Sequence, residues 1–117
     1  MKKAAIAISL FFASGVALAQ APDAAPKGDP AAGKVKATAI CSGCHGASGT
    51  RTAFPEVYNV PKIGGQNEGY IVAALKAYKA GERYNQTMRA QATGLSDKEI
   101  SDIAAYYAQG SAQTALK

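Results

Sequence analysis

The chain is 117 residues long, with 13 basic and 8 acidic residues for a formal net charge of +5, two cysteines and one histidine. That length holds one domain, and so modest a charge, with no run of like sign, argues against a nucleic-acid partner. Two thiols and one imidazole also fall one ligand short of a structural zinc site built from Cys and His.

In chain order, Met1-Lys2-Lys3, an apolar run beginning at Ala4 and small residues ending in Ala17-Leu18-Ala19 make the pattern of a secretory signal peptide. Residues 1–19 are expected to be removed. As a membrane span the segment is too short, because 16 residues interrupted by Ser9, Ser14 and Gly15 fall below the roughly 20 apolar residues a helix needs. No span is therefore expected after cleavage. Losing Lys2 and Lys3 leaves 98 residues carrying 11 basic and 8 acidic groups, a net +3. A domain of that size buries only about 60–65% of its unfolded surface, so a cofactor serving as core would help it. Export also puts the thiols in an oxidising compartment, where a disulfide is the default.

Residues 20–28 carry two prolines and little apolar content, a flexible lead-in to a domain at 29–110. Asp29-Pro30 pairs an N-cap residue with proline at the first helical position, and predicts a helix over 30–40. No period of 3.6 or 2 survives from 46 to 66. Irregular stretches of that length are functional loops or disorder, and Phe54, Val57, Tyr58, Val60 and Ile63 argue for a loop that packs on something. A helix is predicted from 67 or 68 to 80, with Ile71, Ala74, Leu75 and Tyr78 on one face and Gly81 to end it. Residues 82–95 read as irregular. Ser96 and Glu99 then make a capping-box pattern ahead of Ile100, Ile103, Ala104 and Tyr107 on one helical face. Gly110 closes that helix, and 111–117 form a C-terminal tail. With no alternation long enough for a strand, the class is all-α.

The chemistry lies in "AICSGCHG", residues 39–46, which holds Cys41, Cys44 and His45. Cys-x-x-Cys-His is the attachment sequence of c-type haem. At a helix end, residues i and i+3 share a side, so two thiols can add to the two vinyl groups on one porphyrin edge, and the adjacent histidine can reach the iron. A thioredoxin-like exchange site would need a βαβ context. A plain disulfide would leave the apolar loop and small core unexplained. For the second axial position, the mature chain offers one methionine, Met88, in the polar stretch "YNQTMRAQATG". His45/Met88 ligation is the expectation, with lysine or an open site as alternatives. A thioether ligand raises the reduction potential, and two filled axial positions describe an electron carrier rather than an enzyme.

On these residues the chain resembles class I c-type cytochromes, the small monohaem carriers of the bacterial periplasm. The similarity runs from about Gly28 to Gln109, through "GDPAAGKVKATAICSGCHG", "VPKIGGQNEGYIVAALKAYKAGER", Met88 and "LSDKEISDIAAYYA". It implies a cytochrome c fold of three to four helices and long loops wrapped around one covalently bound haem, one edge of which is exposed to redox partner proteins. By resemblance, Cys41 and Cys44 carry the thioethers, and His45 and Met88 are the axial ligands. The Pro61 carbonyl accepts a hydrogen bond from the ligand histidine. Gly33 marks the crossing of the first and last helices, where Tyr106 or Tyr107 is expected to pack; Ala37 stands where the family often has an aromatic residue. Gln66 and Tyr70 are pocket candidates, and Arg83 is either a propionate contact or a solvated side chain. The expected function is a soluble periplasmic shuttle of single electrons, monomeric or weakly dimeric; the alternative is a cytochrome c subunit of a periplasmic dehydrogenase or reductase complex.

Overall fold

Helix starts in this chain are set by side chains that accept otherwise unpaired backbone N–H groups. Asp29 accepts from Ala31 at 2.9 Å, Asn67 from Tyr70 at 3.1 Å and Asn85 from Met88 at 2.9 Å. Ser96 accepts from Glu99 at 3.2 Å, while the Glu99 carboxylate accepts from the Ser96 N–H at 2.8 Å, completing a capping box. A computed structural model describes residues 26–50 and 60–110, and these caps open α1 (Pro30–Ile40), α3 (Glu68–Ala80), α4 (Gln86–Thr93) and α5 (Asp97–Ala108). A single turn, α2 (Ser42–His45), follows α1 directly. The expected signal peptide at 1–19, residues 20–25 of the lead-in, Phe54, Val57 and Tyr58, and the tail at 111–117 lie outside the described residues.

Helices α1, α3 and α5 match the expected segments, and α3 ends at Gly81 with φ +82, as a left-handed C-terminal cap requires. The stretch 82–95 does not match: it was expected to be irregular and contains α4. That helix has a capping asparagine and no interior glycine or proline. Only Met88 and Ala92, one turn apart, turn toward the core. Two inward residues are too few to make a visible period. The all-α class holds, with no strand among the described residues; α2 and α4 bring the helices to five there.

The core is built around α5. Residues from Ile100 to Tyr107 are all buried, because α1 packs on one side and α3 on the other, while α4 covers α3. Ile71 and Leu75 of α3, Ala92 of α4 and Leu95 complete the apolar cluster with Ala37 of α1, which is 0% exposed. Small Ala37 is thus a close contact on α5. Helices α1 and α5 cross at Gly33, as expected. A Cβ there would lie 1.9 Å from the Asp102 carbonyl oxygen and 3.0 Å from the Ile103 nitrogen. Gly33 therefore admits the backbone of α5 at close range, and Tyr106 and Tyr107 share the apolar cluster with Ala37 of α1.

Charged groups lock the same crossing. The Asp102 carboxylate accepts from the Asp29 N–H at 2.6 Å and from Lys98, and these bonds hold its carboxyl below the ordinary range. Lys36 of α1 pairs with Glu99 of α5 at 2.6 Å. That ammonium, helped by the Ser96 backbone, lowers the Glu99 carboxyl from 4.5 to about 2. A folded-state pKa below the unfolded one contributes stability above the unfolded value and loses it as pH falls through the folded value. Urea midpoints are therefore expected to drop from about pH 5 to about pH 2. Glu99→Gln, which retains a capping-box side chain, should lower the midpoint at neutral pH and flatten that acid limb.

Candidate functional site

The segment that carries both thiols is positioned by the break between α1 and α2. The Cys41 N–H donates to the Ala37 carbonyl at 2.9 Å, ending α1, and the Cys41 carbonyl then accepts from Cys44 and His45 at 3.2 and 3.0 Å. Ser42 Oγ donates to the Thr38 carbonyl at 2.8 Å and ties the turn back to α1. This single turn carries the His45 ring inward, leaving it 7% exposed. Gly46, at φ 77, then redirects the chain.

His45 Nδ1 lies 2.9 Å from the Pro61 carbonyl oxygen. A carbonyl only accepts, so Nδ1 is the donor and Nε2 is the ring nitrogen this bond leaves uncommitted. His45 and Cys44 line a cavity of ≈ 680 Å³, within the range of small-molecule and cofactor sites. Pro61 and Ile63 contribute from the loop, and Ile71, Leu75 and Tyr78 form an apolar wall from α3. Met88 reaches the same cavity from α4, its backbone held by the Asn85 cap. Structure thus gathers Cys44, His45, Pro61 and Met88 around one space. Cys41 is not among the lining residues: it is half-buried against the core.

Burial, with the Cys44 thiol adding to it, pushes the Cys41 thiol up to about 11. That is opposite to the lowered pKa of exchange-active and nucleophilic cysteines. Among the described residues no group of three or more His, Cys, Asp and Glu side chains is arranged to hold a metal ion, so the zinc alternative lacks a ligand set there. A haem suits the donors that are present: an imidazole with Nδ1 committed to a carbonyl, a thioether, a thiol at the wall and an apolar lining.

At the cavity margin, Gln66 and Tyr70 are lining residues, as expected from resemblance. Arg83 lines it too; it donates to the Tyr70 hydroxyl at 3.3 Å and stacks 4.9 Å above the Tyr78 ring. Two contributors escaped the sequence: the helix under Met88, signalled only by Asn85 before eight residues free of Gly and Pro, and the Tyr106 and Tyr107 hydroxyls, which carry no sequence signal.

Residues 30–111 match the family model described as cytochrome c. The cytochrome c4 of Pseudomonas aeruginosa is 44% identical over 81 residues, covering 69% of this chain and 38% of that protein. The cytochrome c4 of Thiocapsa roseopersicina is 44% identical over 86 residues, covering 73% and 42%. The cytochrome c-554(548) of Halomonas halodenitrificans is 42% identical over 83 residues, covering 68% of this chain and 94% of that protein. The chain spans about two-fifths of the two cytochromes c4. The family match covers more than half of the chain and includes the Cys41-to-His45 attachment sequence; the chain belongs to the class I c-type cytochromes, whose cofactor is covalently bound haem c.

Proposed function

We propose that the chain is an exported carrier of single electrons between redox partner proteins, with Cys41 and Cys44 as thioether attachments and His45 and Met88 as axial ligands. The observation that carries this is the convergence of Cys44, His45 and Met88 on one cavity, with His45 Nδ1 committed to the Pro61 carbonyl at 2.9 Å. The bound haem supplies a one-electron ferric/ferrous couple. His45 is oriented through Pro61, which leaves Nε2 as its ligating nitrogen and raises its basicity. Met88 contributes a thioether, which favours the ferrous state. Ile71 and Leu75 keep water from the apolar wall, another determinant of potential. His45 and Met88 would each hold the iron from the protein, which would leave no position for a substrate and supports a carrier rather than a catalyst.

Periplasmic delivery rests on the signal-like residues 1–19, leaving a lead-in at 20–28, the haem domain at 29–110 and a tail at 111–117. No helix among the described residues is long and apolar enough to cross a membrane. Intact mass and a pyridine haemochrome spectrum of the exported protein test the proposal together. The expected mass is that of residues 20–117 plus one haem. A mass without covalent haem defeats it, and ready carbon monoxide binding by the reduced protein at neutral pH defeats the Met88 assignment.

A further inference from the structure

Two buried tyrosines near the end of α5 have no role in the haem contacts proposed above, yet their hydroxyls point at the residues that directly follow His45. Tyr106 Oη donates to the Ala47 carbonyl at 2.6 Å, and Tyr107 Oη donates to the Gly46 carbonyl at 3.3 Å. The rings are 4% and 1% exposed and pack against each other at 57° with centroids 5.1 Å apart. Burial raises the Tyr107 hydroxyl above its ordinary value, so it stays a neutral donor.

The far limb of the loop is tied to the same point. The Gly65 N–H donates to the Tyr107 carbonyl at 2.9 Å, and the Ile63 and Gly64 N–H groups donate to the Gly49 carbonyl at 2.8 and 2.9 Å. Pro61, the hydrogen-bond partner of His45, stands two residues before Ile63. The turn after His45 is therefore anchored on the C-terminal helix through Gly46 and Ala47, and the Pro61 limb reaches the same helix through Gly65, while Ile63 and Gly64 are held by the Gly49 carbonyl.

We propose that Tyr106 and Tyr107 are positioning residues for His45: by holding the Gly46 and Ala47 carbonyls they set the imidazole against the Pro61 carbonyl and so tune the donor strength of the ligand. This rests on His45 being the iron ligand. A well-aligned bond from Nδ1 makes the imidazole more basic and favours ferric iron. Loosening the turn behind His45 weakens that bond and favours ferrous iron.

The test uses the haem-loaded protein with Tyr106→Phe, Tyr107→Phe and the double substitution. Two quantities are measured: the midpoint potential, and the exchange of the His45 Nδ1 proton with deuterium by NMR. In the double variant the ferrous-to-ferric ratio at the wild-type midpoint is expected to rise roughly threefold, and proton exchange to quicken roughly tenfold. Tyr106→Phe should move both more than Tyr107→Phe, following 2.6 against 3.3 Å. Ile100→Val, at a fully buried position of the same helix, lowers stability without touching the turn and should move neither quantity.

Unchanged potential and exchange in the tyrosine variants, or equal shifts in Ile100→Val, overturn the proposal. If the double variant does not accumulate, Tyr106→Phe decides alone by the same measurements. His45→Ala separates the two layers. A wild-type spectrum in His45→Ala defeats the ligand assignment itself, whereas a lost low-spin spectrum alongside silent tyrosine variants defeats only the positioning role.

Discussion

Gly33→Ala is expected to destabilise the protein by about 3 kcal/mol or more, although it adds one methyl group and improves helix propensity. In an exposed helix the same change would gain about 1 kcal/mol. Here the new Cβ would sit 1.9 Å from the Asp102 oxygen and 2.4 Å from its carbonyl carbon. Both are backbone atoms, so no rotamer change relieves the clash, and α1 must lift away from α5. Lifting it stretches the Asp29–Asp102 and Lys36–Glu99 contacts and opens space beside Ala37. Urea unfolding of the haem-loaded variant measures the loss. A gain in stability would mean that the helices do not meet at Gly33. Since α1 runs directly into Cys41 and α2, the displacement should also disturb the haem spectrum, whereas the smaller loss of about 0.5–1.5 kcal/mol in Ile100→Val should not.

Met88→Ala is expected to lower the reduction potential on the order of 0.2 V, a part of the range that axial ligands span. Loss of the thioether removes the donor that favours ferrous iron, and water or an external ligand takes its position. Spectroelectrochemical titration reads the potential. Carbon monoxide, expected not to bind the reduced wild-type protein, should bind the reduced variant. Unchanged potential together with continued resistance to carbon monoxide would remove Met88 from the ligand set and send the search to a lysine. The prediction has a sharp structural counterpart: Met88 is only half-buried, so its loss should cost less stability than Gly33→Ala while moving the potential far more.

How much of this was legible beforehand varies by element. Helix α1 was marked by its Asp29-Pro30 start, α3 by an apolar face ending at Gly81, and α5 by a capping box and an apolar face together, and all of these signals are local. Helix α4 has the cap and almost no period, because a helix covering one side of α3 needs only Met88 and Ala92 turned inward. The attachment sequence was legible because two thiols and an imidazole at that spacing have few other uses behind a signal-like segment. Pro61 came from resemblance alone, and the His45–Pro61 bond at 2.9 Å agrees with it. Resemblance gave the crossing at Gly33, but that the Asp102 backbone is what meets it depends on the rotation of α5 about its axis.

By itself, then, the amino-acid sequence determined the all-α class, three helix starts, the end set by Gly81, and the identity of the groups that can tether and ligate a haem. Those properties follow from hydrogen bonds and side-chain periods that close within a few residues. Tertiary structure alone decided that Met88 shares a cavity with His45, that Gly33 meets the Asp102 backbone, and that Tyr106 and Tyr107 hold the turn behind His45. The latter two sets of contacts join residues 59 to 69 positions apart. No local propensity encodes such a pairing: it arises only when α5 is buried between α1 and α3 and its polar atoms must find partners there.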